Sequence, residues 1–246
     1  MQTTVFLQAA LNGDRLHPAA PRHPAAIAES ARAALDAGAQ SVHVHAFDDL
    51  GRETLDGDAC AKVLQAVRAL CPGAPISLTT SATIERDPQR RFRIVEGWEV
   101  LPELITANQG ESGIVELCRL LLTRGVGIEA GLLTREDARA FARSGLADQC
   151  RRVLIEPLDE DPAVAVQHAA DMEEIVVSAG ITLPQVHHGY GIACWAVNQR
   201  GLERGHGIRT GLEDVTVLPD GQQARNNADL VAAATRLIRG RWDWDR

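Results

Sequence analysis

One unit recurs eight times along the 246 residues: a short apolar run, a polar loop, then an amphipathic helical stretch. Residues 5–10 read as the first strand and 25–37 as its helix, stopped by Gly38. Strands at 41–45 and 76–79 follow, with helices at 59–70 and 87–95, the latter opening on the N-cap and first-turn pair Asp87-Pro88. Strands at 104–107 and 127–132 come next; the helix after the first spans 114–122, and the helix after the second opens on Thr134-Arg135-Glu136-Asp137, a capping-box pattern. The last three strands are read at 152–156, 185–188 and 208–213, with helices at 162–178, from Ile192, and at 226–239. Each unit takes about 31 residues, the length a βαβ repeat needs. Strict alternation implies a parallel sheet, and eight units imply its closure into a (β/α)8 TIM barrel, an α/β fold. A doubly wound open sheet is the alternative. No linker-like or low-complexity stretch interrupts residues 1–246, so one domain is expected.

The net charge of −8 argues against nucleic acid as a partner, which calls for a basic face. No apolar run approaches the roughly 20 residues of a membrane span. The start, Met1-Gln2-Thr3-Thr4, lacks the basic segment of a secretion signal, so a cytoplasmic protein is expected. The five cysteines are scattered with no C-x-x-C spacing, which reads as reduced thiols packed in a core. The end of the chain carries Trp242 and Trp244 among charges, a candidate contact for a homo-oligomer.

The chemistry concentrates on His43-Val44-His45. Residues two apart on a strand point to one side, so both imidazoles face the same way and could share a metal. A catalytic zinc takes three protein ligands and leaves a position open. In a TIM barrel the active site lies where the strands end. Polar residues collect at that rim: Asp14, Thr79, Thr106, Asn108, Glu129, His187-His188, Arg209 and Glu213-Asp214. Taken as one strand, residues 208–213 put Arg209 and Glu213 on a common face, with strand eight beside strand one and strand one beside the histidines. A His43, His45, Glu213 zinc site is the expectation, with Asp214 on the other side as an orienting group; satisfied core histidines in a barrel layer are the alternative. One of His187 and His188 should face the core and the other be exposed.

The run Gly205-His206-Gly207-Ile208-Arg209-Thr210-Gly211-Leu212-Glu213-Asp214 resembles the signature of the β-keto acid cleavage enzymes. Asn12-Gly13, His43-Val44-His45, Thr79-Thr80, Thr106-Ala107-Asn108 and Asn226-Asn227-Ala228 agree in order. The resemblance implies a zinc-dependent TIM barrel that joins a β-keto acid and acetyl-CoA to give acetoacetate and a new acyl-CoA. It implies Zn2+ on His43, His45 and Glu213, and substrate contacts from Thr79, Thr106 and Asn108. Asp14 would read the far end of the keto acid, and Arg209, Asp214 and Glu129 would form an activating triad. Ser81-Ala82 stands where the family has Gly-Gly, and Val153-Leu154-Ile155-Glu156-Pro157-Leu158 lacks its glycine-rich strand end. Two other classes compete: a metal-dependent hydrolase or aldolase on the same barrel, and a non-catalytic binder of carboxylate metabolites.

Overall fold

The computed structural model describes residues 5–15 and 17–240, so Trp242 and Trp244 lie outside the described part. Eight parallel strands close into a barrel. In chain order they are β1 (Leu7–Ala10), β2 (Ser41–Val44), β5 (Ile76–Thr79), β6 (Leu104–Asn108), β7 (Gly127–Leu132), β8 (Arg152–Ile155), β9 (Gln185–His187) and β10 (Gly207–Thr210). β10 pairs with β1, and β1 with β2, which closes the ring. The eight helices are α1 (Pro24–Asp36), α2 (Gly57–Leu70), α3 (Pro88–Glu96), α4 (Ile114–Thr123), α5 (Arg135–Arg143), α6 (Pro162–Ser178), α7 (Ala193–Glu203) and α8 (Asn227–Ile238). This is a TIM barrel.

The helices start where the local chemistry directs. Asp87 accepts from the amides of Gln89 and Arg90 with Pro88 at the first helical position, and Thr134 and Asp137 complete a capping box. Asn226 caps α8 by accepting from the amide of Asp229.

Strand alternation separates two environments. Val42 and Val44, Ile76 and Leu78, Ile105 and Ala107 are buried in the apolar layer between strands and helices. The opposite parity carries polar groups into the barrel: Gln8 reaches Glu129 at 3.0 Å, and His43 meets Ser77 and Thr106 at 3.2 Å each. The ring interior is therefore polar while the outer layer holds it together. All five cysteines are free and buried, as their spacing implied.

Two elements depart from the sequence reading. β2 stops at Val44, and the chain then forms a hairpin of β3 (Ala46–Phe47) and β4 (Glu53–Thr54). Its turn, Asp48-Asp49-Leu50-Gly51, carries the Asp and Gly that a tight turn favours, a signal present in the sequence. β10 stops at Thr210, not at Glu213, because the backbone turns at Gly211. A Cβ there would lie 1.9 Å from the Ala10 carbonyl oxygen, so only glycine lets the last strand pass the first this closely.

Candidate metal centre and active-site cleft

His43 sits on β2 and His45 one residue past its end, both buried, with ring centroids 5.2 Å apart. The outer nitrogen of each ring is already engaged. His43 Nδ1 lies 3.2 Å from both Ser77 Oγ and Thr106 Oγ1. His45 Nδ1 meets Glu53 Oε1 at 2.5 Å. The hairpin exists to return Glu53 to that ring, a contact that sequence spacing alone did not disclose. Both Nε2 atoms are left pointing inward, each 3.6 Å from an oxygen of Glu213.

Glu213 arrives from a turn, not from a continuous strand: the amides of Asp214 and Val215 both bond the Gly211 carbonyl. Arg15 clamps that turn from outside, donating to the carbonyls of Glu213 and Asp214 at 3.0 and 3.1 Å while stacking on Tyr190. Gly13 fits against the Glu213 side chain, where a Cβ would come within 2.9 Å of Cγ. Glu213 Oε1 accepts from Arg209 Nη2 at 2.7 Å, whereas its buried Oε2 has no hydrogen-bond partner. An orphaned carboxylate oxygen costs about 1–3 kcal/mol or more, so Oε2 is open to a further partner. One ring nitrogen from each histidine and one Glu213 oxygen, all within 4.8 Å of one another, form a His2Glu donor set that suits a divalent transition metal.

The two rings differ in their electrostatics. Burial lowers the His43 imidazole to about 3, which leaves its ring neutral and free to coordinate. Burial opposes the charged form of His45 too, but Glu213 and Glu53 outweigh it and raise that ring to about 9. Glu213 is held well below the ordinary carboxylate range: burial would raise it, and Arg209 with the two histidines overrides that.

Arg209 is fully buried and forked onto Asp214, Nε to Oδ2 at 3.1 Å and Nη2 to Oδ1 at 2.8 Å. Asp214 therefore sits beside Arg209, in place of the far side of a strand. The cleft above these residues has a volume of about 210 Å³. Asp14, His43, His45, Thr79, Thr106, Asn108, Arg209, Glu213 and Asp214 all line it. Asn108 is fixed by Glu111, which buried Arg91 pins in turn.

Glu129 is not brought to Arg209. It lies in the barrel interior, level with Thr106 and Arg152, and gives its oxygens to Gln8 and to Arg152 Nε at 3.3 Å. β7 runs on to Leu132, which leaves Glu129 below the rim. His187 and His188 are both fully buried, with neither exposed. His187 points outward and stacks on His206 at 4.6 Å, while His188 approaches Asp214 and Glu156. Glu156 lines the cleft as well. Its pairing with His188 was legible only through the β8–β9 register, which sets Ile155 against His187 and so the next residues side by side.

The family model for beta-keto acid cleavage enzymes matches residues 4–145 and 164–241. The chain belongs to the β-keto acid cleavage enzyme family. A 3-keto-5-aminohexanoate cleavage enzyme from Fusobacterium nucleatum is 25% identical over 267 residues, covering 97% of this chain and 93% of that one. Among solved structures, ObcA in a binary complex with oxaloacetate superposes with a TM-score of 0.73 at 17% identity, covering 91% of this chain. ObcA in a ternary complex with a C4-CoA adduct and oxalate gives 0.72, also at 17% identity and 91% coverage of this chain. This family member spans only 64% of the ObcA chain in either case, and at that identity the likeness shows the barrel fold alone. Among the described residues, no helix is long and apolar enough to cross a membrane.

Proposed function

We propose that the chain converts a β-keto acid and acetyl-CoA into acetoacetate and a new acyl-CoA, with zinc held by His43, His45 and Glu213. The observation that carries the metal is the approach of both Nε2 atoms to the Glu213 carboxylate, His43 to the unpartnered Oε2 and His45 to Oε1, each at 3.6 Å. Family membership supports the reaction class, and the ObcA complex with a C4-CoA adduct lends support to a CoA partner. Bound there, zinc supplies a Lewis acid for a chelating β-keto carboxylate.

The protein's own residues do the rest. Thr79, Thr106 and Asn108 offer two hydroxyls and an amide to the substrate's carboxylate and ketone from one wall of the cleft. Burial works against the Arg209 charge, but Asp214, Glu213 and Glu156 outweigh it and hold its proton more tightly than in water. Arg209 is therefore no base; it is a fixed cation for the charge that develops on an enolate. Asp14 stands at the rim, where the far end of the keto acid passes.

The test is direct. Purified protein is loaded with zinc and incubated with a panel of β-keto acids, with and without acetyl-CoA, and acetoacetate is measured. Acetyl-CoA-dependent acetoacetate is the expected result. Product formed without CoA would redirect the reading to a hydrolase or aldolase, and no product together with no bound metal would end it.

A further inference from the structure

Besides Glu213, the cleft is lined by Asp14 out at the rim, Glu53, Asp214 and Glu156, with Glu129 below it, and Glu53 is spent on His45. Glu129 is committed to Gln8 and Arg152 inside the barrel. Asp214 gives both oxygens to Arg209. Glu156 lies immediately after β8, on the cleft wall. β8 lies four strands from β2 in either direction around the ring, so Glu156 faces the His43–His45 side across the barrel mouth. Its side chain is 17% exposed, and His188 Nε2 lies 3.5 Å from Oε2.

His188 stands behind it, fully buried between two carboxylates, with Nδ1 3.6 Å from Asp214 Oδ1. Neither ring nitrogen makes a hydrogen bond. Two unsatisfied buried nitrogens are expensive, about 1–3 kcal/mol each, and mark a site held ready for work. The trio Glu156, His188 and Asp214 has metal-like spacing, but Asp214 is saturated by a guanidinium whose charge repels a second cation. Proton chemistry is what the trio is suited to.

We infer that Glu156 is the base of this cleft, taking the C2 proton of the β-keto acid, with His188 as a positioning residue behind it. The inference rests on the reading of the cleft as a β-keto acid site. In the step, the C2–H bond breaks, its electron pair enters the C2–C3 bond, and the ketone oxygen takes the charge of the enolate while Glu156 takes the proton. Enolate C2 then attacks the acetyl thioester and CoA thiolate leaves. That thiolate attacks the original ketone carbon, the C2–C3 bond breaks, and Glu156 returns its proton to C2 of the departing acetoacetate. Burial pushes the Glu156 carboxyl above its ordinary range. The charges at His188 and Arg209 pull it down in part, and Asp214 and Glu213 push it further up. A raised carboxyl is the better base near neutral pH.

Wash-out of deuterium from C2-deuterated acetoacetate, followed by NMR in the absence of acetyl-CoA, isolates this step. The zinc-loaded wild type should exchange faster than the buffer alone. Glu156→Gln should slow that exchange by about 100-fold or more, with zinc content and thermal midpoint unchanged. His188→Gln should keep exchange but move the acid limb of its pH profile upward, because a charge that lowers Glu156 is removed. Wild-type exchange rates in Glu156→Gln would overturn the inference, and an unmoved limb in His188→Gln would overturn the positioning role. Should Glu156→Gln fail to fold, the limb in His188→Gln decides. Failure of the wild type to make acetoacetate from any β-keto acid with acetyl-CoA removes the underlying reading, and this inference with it. An active wild type with an equally active Glu156→Gln removes this inference alone.

Discussion

Arg209 holds one oxygen of Glu213 at 2.7 Å and leaves the other facing His43 without a hydrogen-bond partner. The same guanidinium is forked onto Asp214. The proposed metal ligand and the fixed cation of the cleft are thus one mechanical unit, set by a turn that follows the last barrel strand. Replacing Glu213 by Gln keeps the shape and removes the charge that the two imidazoles face. Zinc after dialysis against a weak chelator should fall far below one per chain, read by elemental analysis. Full retention would exclude Glu213 as a ligand.

Glu53 is the test of the hairpin. Its carboxylate fixes the His45 ring through Nδ1 and leaves Nε2 as the donor. Partners of this kind set metal affinity by about 10–100-fold. Glu53→Gln should weaken zinc by that factor in a competition titration with a chromogenic chelator, while the fold, followed by circular dichroism, stays intact. Equal affinity would reduce the hairpin to a loop without function.

Arg209→Lys separates charge from geometry. An ammonium cannot span Asp214 and Glu213 as the planar fork does, so the exchange is not conservative here. Turnover should drop by about 100-fold or more, with zinc retained because the three donors remain. Loss of zinc in this variant would mean that Arg209 acts chiefly by tethering Glu213.

Much of this was readable in advance, and the misses have physical causes. Eight alternations of apolar run and amphipathic helix were enough for the barrel, since the two periods differ and repeat. His43 and His45 were readable because their spacing states a shared side. The route to Glu213 was not, since the end of β10 is imposed by the Ala10 carbonyl pressing on Gly211, a contact 201 residues away in sequence. Glu129 looked like a rim residue until register placed it level with Arg152 at the start of β8. His188 was visible only as half of a His pair and Glu156 only as part of a strand end without glycines, and strand pairing is what sets them side by side.

Gly211 therefore yields a prediction of its own. A methyl group there would overlap the Ala10 backbone, and neither strand can move without opening the barrel. Gly211→Ala should cost more than about 4 kcal/mol, the range reserved for severe backbone conflict. The expected outcome is insoluble protein on expression under conditions where the parent is soluble. A folded, zinc-binding variant would show that β1 and β10 are looser than their pairing implies.

The last prediction concerns stability away from the cleft. Glu173 on α6 is buried and accepts from Arg204 at 2.9 Å and His206 at 3.1 Å, with Arg200 at 2.6 Å on its other oxygen. Burial alone would raise its carboxyl, but these donors outweigh it and hold it at about 2. The unfolded chain has the ordinary value of about 4.3, so the folded state binds this proton less readily. The resulting stability, on the order of 1 kcal/mol once solvent screening of the ion pairs is allowed for, is present above that ordinary value and is lost as pH falls toward 2. Glu173→Gln should therefore lower the thermal midpoint at pH 7 by roughly 2–4 °C. The gap between variant and parent should close as the pH drops through 4 toward 2. A gap that stays constant across that range would show that packing, not charge, is what Glu173 supplies.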